Sequence, residues 1–193
     1  MWKTYIFWYG SLINENSAKL TNPNLWKFVP TIVKWYERKW NVLSKKMWII
    51  AVWLEKNSDA FLNWVLIEVN DDIIKDFDIR EGNYFRERIY LENIHILNFN
   101  EKIKKSDKIY VYIPKSTSYP SKKFPIVYSY LDVILEWCIN ISWYDFAKQF
   151  IETTWNWNKK YFVNDRNNPY YVRALDKLNY NLDELYNFID ITI

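Results

Sequence analysis

Hydrophobic and polar residues change their spacing part-way along this chain. Up to about residue 115 they run in short apolar or alternating stretches with strand character, and beyond it they recur at helical spacing. Residues 3–9 are apolar and aromatic and stop at Gly10-Ser11, which predicts a first strand closed by a turn. Residues 14–25 are polar, with Asn22-Pro23-Asn24 as turn material. Residues 31–43 and 48–54 read as strands and Asn57-Ser58-Asp59 as a turn. The nearly unbroken apolar run 61–69 reads as a central strand covered on both faces. Asp71 or Asp72 is placed to cap a short helix whose Ile73, Ile74 and Phe77 share one face. Residues 84–91, 94–99 and 108–113 alternate like three further strands, and 114–125 is a loop carrying Tyr119, Lys122 and Lys123.

The rest is helical in pattern. Residues 126–138 put Val127, Tyr130, Leu131, Ile134 and Cys138 on one face, and Ser142 is placed to cap a second helix over 144–152. Asn181 caps a last helix over 182–191, with Asp183 and Glu184 at its positive end. Strands first and helices later predict an α+β fold. No repeat or linker divides the chain, so residues 1–193 are expected to form one domain, strand-rich over 1–115 and helical over 116–193.

Composition narrows the function classes. Half of the 193 residues are hydrophobic, enough for a substantial core, yet no apolar run is long enough for a spanning helix. The first residues lack the apolar stretch and small-residue cleavage site of a signal peptide. The single cysteine, Cys138, excludes an internal disulfide and fits a reducing cytoplasm. A net charge of +3 is too mild to indicate nucleic acid. The one histidine, His95, alternates with Ile94 and Ile96 as a surface strand residue does, and Ser11 with His95 lacks the third group of a triad.

One compositional fact changes the reading of motifs. The chain has 2 glycines and 12 tryptophans. Together they match the roughly 13–14 glycines expected at about 7% of an average chain. Either the surface is truly rich in indole, or UGA codons read as glycine in the native lineage stand here as tryptophan. The abundance of Asn, Ile, Lys and Tyr fits an AT-rich genome, where such reassignments are found. On the second reading Trp2, Trp8, Trp35, Trp48, Trp53, Trp64, Trp137 and Trp143 stand for glycine, while Trp40 and one of Trp155 and Trp157 are real.

Two segments carry candidate chemistry. Tyr9-Gly10-Ser11-Leu12 ends the first strand, where successive backbone N–H groups can form a concave nest for a carboxylate or carbonyl oxygen. In Asp78-Ile79-Arg80-Glu81-Gly82-Asn83-Tyr84-Phe85-Arg86 a helix gives way to a strand at Glu81, and a carboxyl group partly buried at such a junction has the raised pKa of a general base. A plain turn and an exposed ion pair are the corresponding bland readings.

Taken together these segments resemble the γ-glutamylcyclotransferase-like family. Phe7-Trp8-Tyr9-Gly10-Ser11-Leu12 is similar to that family's Phe-Gly-Tyr-Gly-Ser-Leu opening, departing only at Trp8. Asn63-Trp64-Val65-Leu66 resembles its Asn-Gly-Val-Leu strand, and Lys34-Trp35-Tyr36-Glu37-Arg38-Lys39-Trp40-Asn41 its Gly-Tyr-Arg-Arg-x-aromatic-Asn strand. Phe150-Ile151-Glu152-Thr153-Thr154, followed by Asn164-Asp165-Arg166 and Asn168-Pro169, resembles a longer bacterial branch.

The resemblance implies a small, mixed, partly open β-barrel with flanking helices. It also implies an intramolecular aminolysis in which the α-amine of a γ-glutamyl group attacks its own γ-carbonyl and releases 5-oxoproline. Glu81 would be the catalytic acid and base. Tyr9, Gly10, Ser11, Leu12 and Tyr119 would hold the substrate, with Asp165 and Arg166 as lesser candidates. No metal or organic cofactor is implied, the partner is a small γ-glutamyl molecule, and neither membrane nor nucleic acid is expected. Two other classes stay open: a non-catalytic member that binds a small acidic metabolite or a protein, and a single-strand nucleic-acid platform of exposed tryptophans and lysines.

Overall fold

The structure is a computed structural model that describes residues 2–11, 18–25, 27–82, 84–97 and 102–192. Strand β1 (Thr4–Trp8) is buried at every position, as its unbroken apolar sequence requires of a strand with no solvent face. It lies between β3 (Ile49–Val69), antiparallel with Trp8 opposite Val65, and β6 (Lys108–Pro114), parallel with Thr4 opposite Lys108. With β2 (Phe28–Ser44), β4 (Tyr84–Ile89) and β5 (Ile94–Ile96), the sheet runs β4-β6-β1-β3-β2-β5. A seventh strand, β8 (Thr154–Trp155), adds to β2. A separate parallel pair joins β7 (Ile126–Val127) to β9 (Phe162–Val163). The fold is α+β as expected, and among the described residues the edge strands β4 and β5 do not pair with each other, so the sheet does not close into a barrel.

Three helices among the described residues complete it: α1 (Asp71–Arg80), α2 (Tyr128–Glu152) and α3 (Asp183–Thr192). Asn70, rather than Asp71 or Asp72, caps α1 by accepting from the N–H groups of Asp72 and Ile73. The two aspartates occupy the first turn, where they suit the helix dipole. Ile73, Ile74 and Phe77 face inward as their spacing predicts. Asn181 caps α3 through the Asp183 N–H, 2.9 Å away. Helix α2 is broken at Ser142 and Trp143, between the two helices that the pattern separates.

Two strand assignments change. Asn57-Ser58-Asp59 does not reverse the chain, because β3 continues through it. The residues are looped out where the register of β2 and β3 steps from Lys34–Phe61 to Tyr36–Lys56. The local turn chemistry survives inside this bulge, with the Asp59 N–H bonded to Asn57 Oδ1 at 3.1 Å. Strand 94–99 shortens to Ile94–Ile96, and residues 98–99 lie outside the described set.

The family-like stretches meet in one buried cluster. Arg38 of β2 is fully buried. Its Nε donates to Thr154 Oγ1 at 2.8 Å, and its Nη2 donates to Asn63 Oδ1 at 2.8 Å and Thr153 Oγ1 at 3.2 Å. The guanidinium lies 3.8 Å from the centre of the Phe150 ring. Burial lowers its pKa to about 9, still protonated at neutral pH. A buried cation with neutral acceptors on β3 and β8 ties three distant segments to one position. Arg38, Asn63 and Thr153-Thr154 are therefore structural.

Tryptophan geometry is unusual. Four described non-glycine residues have positive φ: Trp35 (72°), Trp48 (58°), Trp143 (65°) and Asn156 (63°). Asn tolerates that region, whereas a bulky side chain there is an outlier. Trp48 ends the β2–β3 turn, its N–H bonded to Ser44 O at 2.8 Å, where a hairpin ordinarily places glycine. Buried indole N–H groups of Trp8, Trp40, Trp53, Trp64 and Trp137 have no hydrogen-bond partner, although buried polar groups normally have one. Trp157 Nε1 does, donating to Ile151 O at 3.2 Å.

Candidate active site

Strand β1 delivers Tyr9-Gly10-Ser11 to a cavity of about 640 Å³, within the range of small-molecule sites. Helix α1 delivers Arg80 and Glu81 to the same cavity, since the helix ends at Glu81. Its N–H bonds back to Phe77 O and its carbonyl accepts from the Tyr84 N–H, each at 2.8 Å, which fixes the residue at the junction of helix and β4. The first halves of the two motifs are thus brought together. Leu12 lies outside the described residues. Tyr119 is 68% exposed and does not line the cavity, because the 114–125 loop turns it outward.

Only 11% of the Glu81 side chain is exposed. Burial pushes its carboxyl pKa above the ordinary glutamate value, against the pull of Arg80 and Arg173 in the other direction. Arg80 Nε donates to Glu81 Oε1 at 2.8 Å. Arg80 Nη1 and Arg173 Nη1 both donate to Thr21 Oγ1, at 2.6 Å and 3.1 Å. Arg86 instead pairs with Asp78 at 2.7 Å, and Arg88 lies over Tyr90.

The Gly10 turn is built against tyrosines. Tyr9 donates its hydroxyl proton to Tyr112 O at 2.8 Å, so its ring forms wall. A Cβ at Gly10 would stand 2.8 Å from the Tyr130 hydroxyl, so glycine is needed there for close approach. Burial pushes the Tyr130 hydroxyl pKa well up, and the nearby backbone at Val52 and Ser11 pulls it the other way. Ser11 Oγ accepts from the Tyr171 hydroxyl at 2.7 Å. Tyr130, Tyr171, Tyr84 and Arg173 line the cavity and were not singled out from sequence. Tyr130 faces inward on its predicted helix, but no local signal joins it to Gly10. Gly82 has ordinary φ and only normal contacts, so nothing at that position demands glycine.

Trp8 also lines the cavity. It is buried against Phe77 and Tyr112, with ring centres 5.2 Å and 5.4 Å away. Its indole occupies space beside the turn that a glycine would leave open.

Asp165 and Arg166 stand elsewhere. Asp165 accepts from the N–H and Oγ of Ser129, and Arg166 makes a two-point bond to Asp132 at 2.7 Å and 2.8 Å. His95 is exposed on β5. Cys138 is buried, and that burial pushes its thiol up to about 12, which leaves it unreactive. Among the described residues no cluster of His, Cys, Asp and Glu has the form of a metal site, and no helix is long and apolar enough to cross a membrane.

No family model matches the chain, and no curated protein matches it. Solved structures do. One titled "Gamma-glutamyl cyclotransferase" superposes with a TM-score of 0.60 at 11% identity, covering 98% of this chain and 99% of that one. A second, titled "Ensemble refinement of the crystal structure of uncharacterized protein loc79017 from Homo sapiens", matches with the same score, identity and coverage. At this identity the likeness is one of fold: the chain has the γ-glutamylcyclotransferase-like fold over essentially its whole length.

Proposed function

We propose that this protein is a cofactor-independent enzyme that releases 5-oxoproline from a γ-glutamyl amine or peptide, acting in the cytoplasm. The observation that carries the reading is the buried Glu81 carboxyl group, raised in pKa, sharing one cavity with the Gly10 turn. Glu81 takes a proton from the substrate's α-ammonium. The freed amine attacks the γ-carbonyl carbon, forming the ring C–N bond and a tetrahedral oxyanion. As the oxyanion collapses, the bond to the leaving amine breaks; Glu81 returns the first proton to that nitrogen and then carries the ring nitrogen's second proton to it, so the amine leaves as an ammonium and the lactam nitrogen keeps one hydrogen. Nucleophile and electrophile belong to one molecule, so the site's task is to hold a bent conformer and stabilise charge. The backbone N–H groups of Gly10, Ser11 and Leu12 hold the γ-glutamyl group and meet that charge, and Tyr9 shapes the pocket.

We further infer that most tryptophans, Trp8 among them, are glycine in the native protein. The positive φ of Trp35, Trp48 and Trp143 supports this. It also disfavours the nucleic-acid platform. Of the exposed tryptophans Trp2, Trp35, Trp48, Trp143 and Trp155, three sit at positive φ rather than on a built stacking surface. Mass analysis of peptides from the native host decides it, and indole at Trp8 and Trp64 would refute it.

Glu81→Gln tests the enzyme reading. Gln keeps size and hydrogen bonding but cannot carry the proton, so 5-oxoproline release should fall by about 10²–10⁴-fold. The assay compares the chain as printed with one carrying glycine at the suspect positions, across several γ-glutamyl amines and dipeptides. Undiminished turnover by the Gln variant refutes the role of Glu81. One observation favours the non-catalytic reading: Arg80 Nε already occupies Glu81 Oε1 at 2.8 Å, so one of the two carboxylate oxygens is engaged within the protein. Binding of γ-glutamyl ligands without turnover by either protein would establish that reading instead.

A further inference from the structure

Residues 164–182 form neither helix nor strand, yet the segment is pinned along α2. Ser129, Asp132 and Glu136 recur at helical spacing and give α2 one buried polar face. Near one end of the segment Arg166 bonds Asp132 at 2.7 Å and 2.8 Å. Near the other, Glu136 accepts from the Asn179 backbone N–H at 2.9 Å and from its Nδ2 at 2.6 Å. Between these anchors Tyr170 and Val172 are exposed, whereas Tyr171 is buried. The Tyr171 hydroxyl donates to Ser11 Oγ at 2.7 Å, and its ring packs edge-on against Tyr130 with centres 5.0 Å apart. A segment without regular structure thus reaches the Gly10-Ser11 turn from the far end of the chain.

Asp165 fixes how it does so. Its buried carboxylate takes three hydrogen bonds: Oδ1 from the Ser129 N–H at 2.8 Å, and Oδ2 from the Ser129 hydroxyl at 2.6 Å and the Tyr170 N–H at 2.8 Å. With its proton committed to Asp165, the Ser129 hydroxyl oxygen accepts from the Tyr171 N–H at 3.3 Å. Resting on the reading above, in which the Gly10 turn binds a γ-glutamyl group, we propose that Asp165 and Tyr171 are positioning residues for that turn. Asp165 sets the Tyr171 backbone through Ser129, and the Tyr171 hydroxyl holds Ser11. Neither exchanges a proton with the substrate. Their effect is to keep the donors of the turn in place before charge develops, so that no reorganisation is needed at that moment.

Two near-isosteric variants test this. Tyr171→Phe keeps the ring and deletes the hydroxyl. Asp165→Asn keeps the shape, but each carboxylate oxygen faces a backbone N–H, so the amide NH₂ opposes a donor whichever way it turns. Each should lower kcat/KM for γ-glutamyl-alanine by about tenfold, the scale of one net hydrogen bond, in whichever of the printed and glycine-restored chains turns over. Ser11→Ala removes the acceptor, so adding Tyr171→Phe to it should cost no further activity. Asp165→Asn added to Tyr171→Phe should likewise cost little further activity while still lowering the urea midpoint, because its own bonds to Ser129 and Tyr170 are lost. A purely structural role would lower midpoints and leave kcat/KM unchanged. Unchanged kcat/KM in Tyr171→Phe, or additive losses with Ser11→Ala, overturns the proposal. If neither chain turns over, the enzyme reading fails by itself, and the same cycle is read from calorimetric affinity for γ-glutamyl-alanine. Coupled losses of affinity then support the positioning role, and independent losses or no binding at all overturn it.

Discussion

Replacing Trp143 with glycine should stabilise this protein, against the usual direction of a tryptophan deletion. Trp143 has φ 65° and ψ −175°, a region that only glycine occupies freely and that costs a residue with a Cβ about 1–3 kcal/mol. Its side chain is 76% exposed, so removal sacrifices little buried apolar surface. Glycine costs about 0.4–1 kcal/mol through the freedom that it restores to the unfolded chain. The informative comparison is with Trp143→Ala, which deletes the same indole but keeps the Cβ and so the backbone strain. Strain relief less the entropy cost leaves the Gly variant about 1–2 kcal/mol more stable than the Ala variant. In urea this appears as a higher midpoint at unchanged slope. Throughout ordinary helices alanine exceeds glycine by about 1 kcal/mol, so the predicted order is inverted. An Ala variant as stable as the Gly variant, or more so, would show that residue 143 is not held in this conformation.

The remaining expectations concern the site and the core. If Glu81 works as the base, kcat/KM should fall as pH drops through its raised pKa, placing the acid limb above 4.5; Arg80→Met removes a group that lowers that pKa and should move the limb further up, and a downward move would refute the assignment. By linkage, the stability Glu81 contributes is complete below the unfolded value and is lost as pH rises through the folded one, a dependence Glu81→Gln should remove from a pH series of urea midpoints. Gly10→Ala places a Cβ 2.8 Å from the Tyr130 hydroxyl and should cost about 1–3 kcal/mol; adding Tyr130→Phe should recover part of it, and strict additivity of the two losses would argue against the contact. Arg38→Leu leaves Asn63 Oδ1 without its donor and should cost about 1–3 kcal/mol, read from the shift in urea midpoint, without altering the substrate preference of whatever activity remains.

Much was legible in the chain because local periodicity encodes which face of an element is buried. The apolar run ending at Gly10, the inward stripe of Ile73, Ile74 and Phe77, the interruption at Ser142 and the cap at Asn181 are all short-range patterns, and each holds in the structure. The excess of tryptophan over glycine was legible too, since composition needs no coordinates; the φ angles at Trp35, Trp48 and Trp143 needed the backbone. The sequence on its own joined Gly10 and Glu81 only through resemblance to a family. Their meeting in one cavity depends on the order of strands around β1, a matter of pairing between distant segments. The same holds for the continuation of β3 through Asn57-Ser58-Asp59, where sheet pairing outweighs turn propensity that is satisfied within a bulge. Tyr171 reaches Ser11 across 160 residues of sequence, and Arg38 reaches Thr154 across 116. Tyr119 faces outward while Tyr130 approaches Gly10. A hydrogen bond between distant residues leaves no periodic trace in the chain, because what selects each partner is the desolvation of a polar group inside a core that exists only once the sheet and helices have packed.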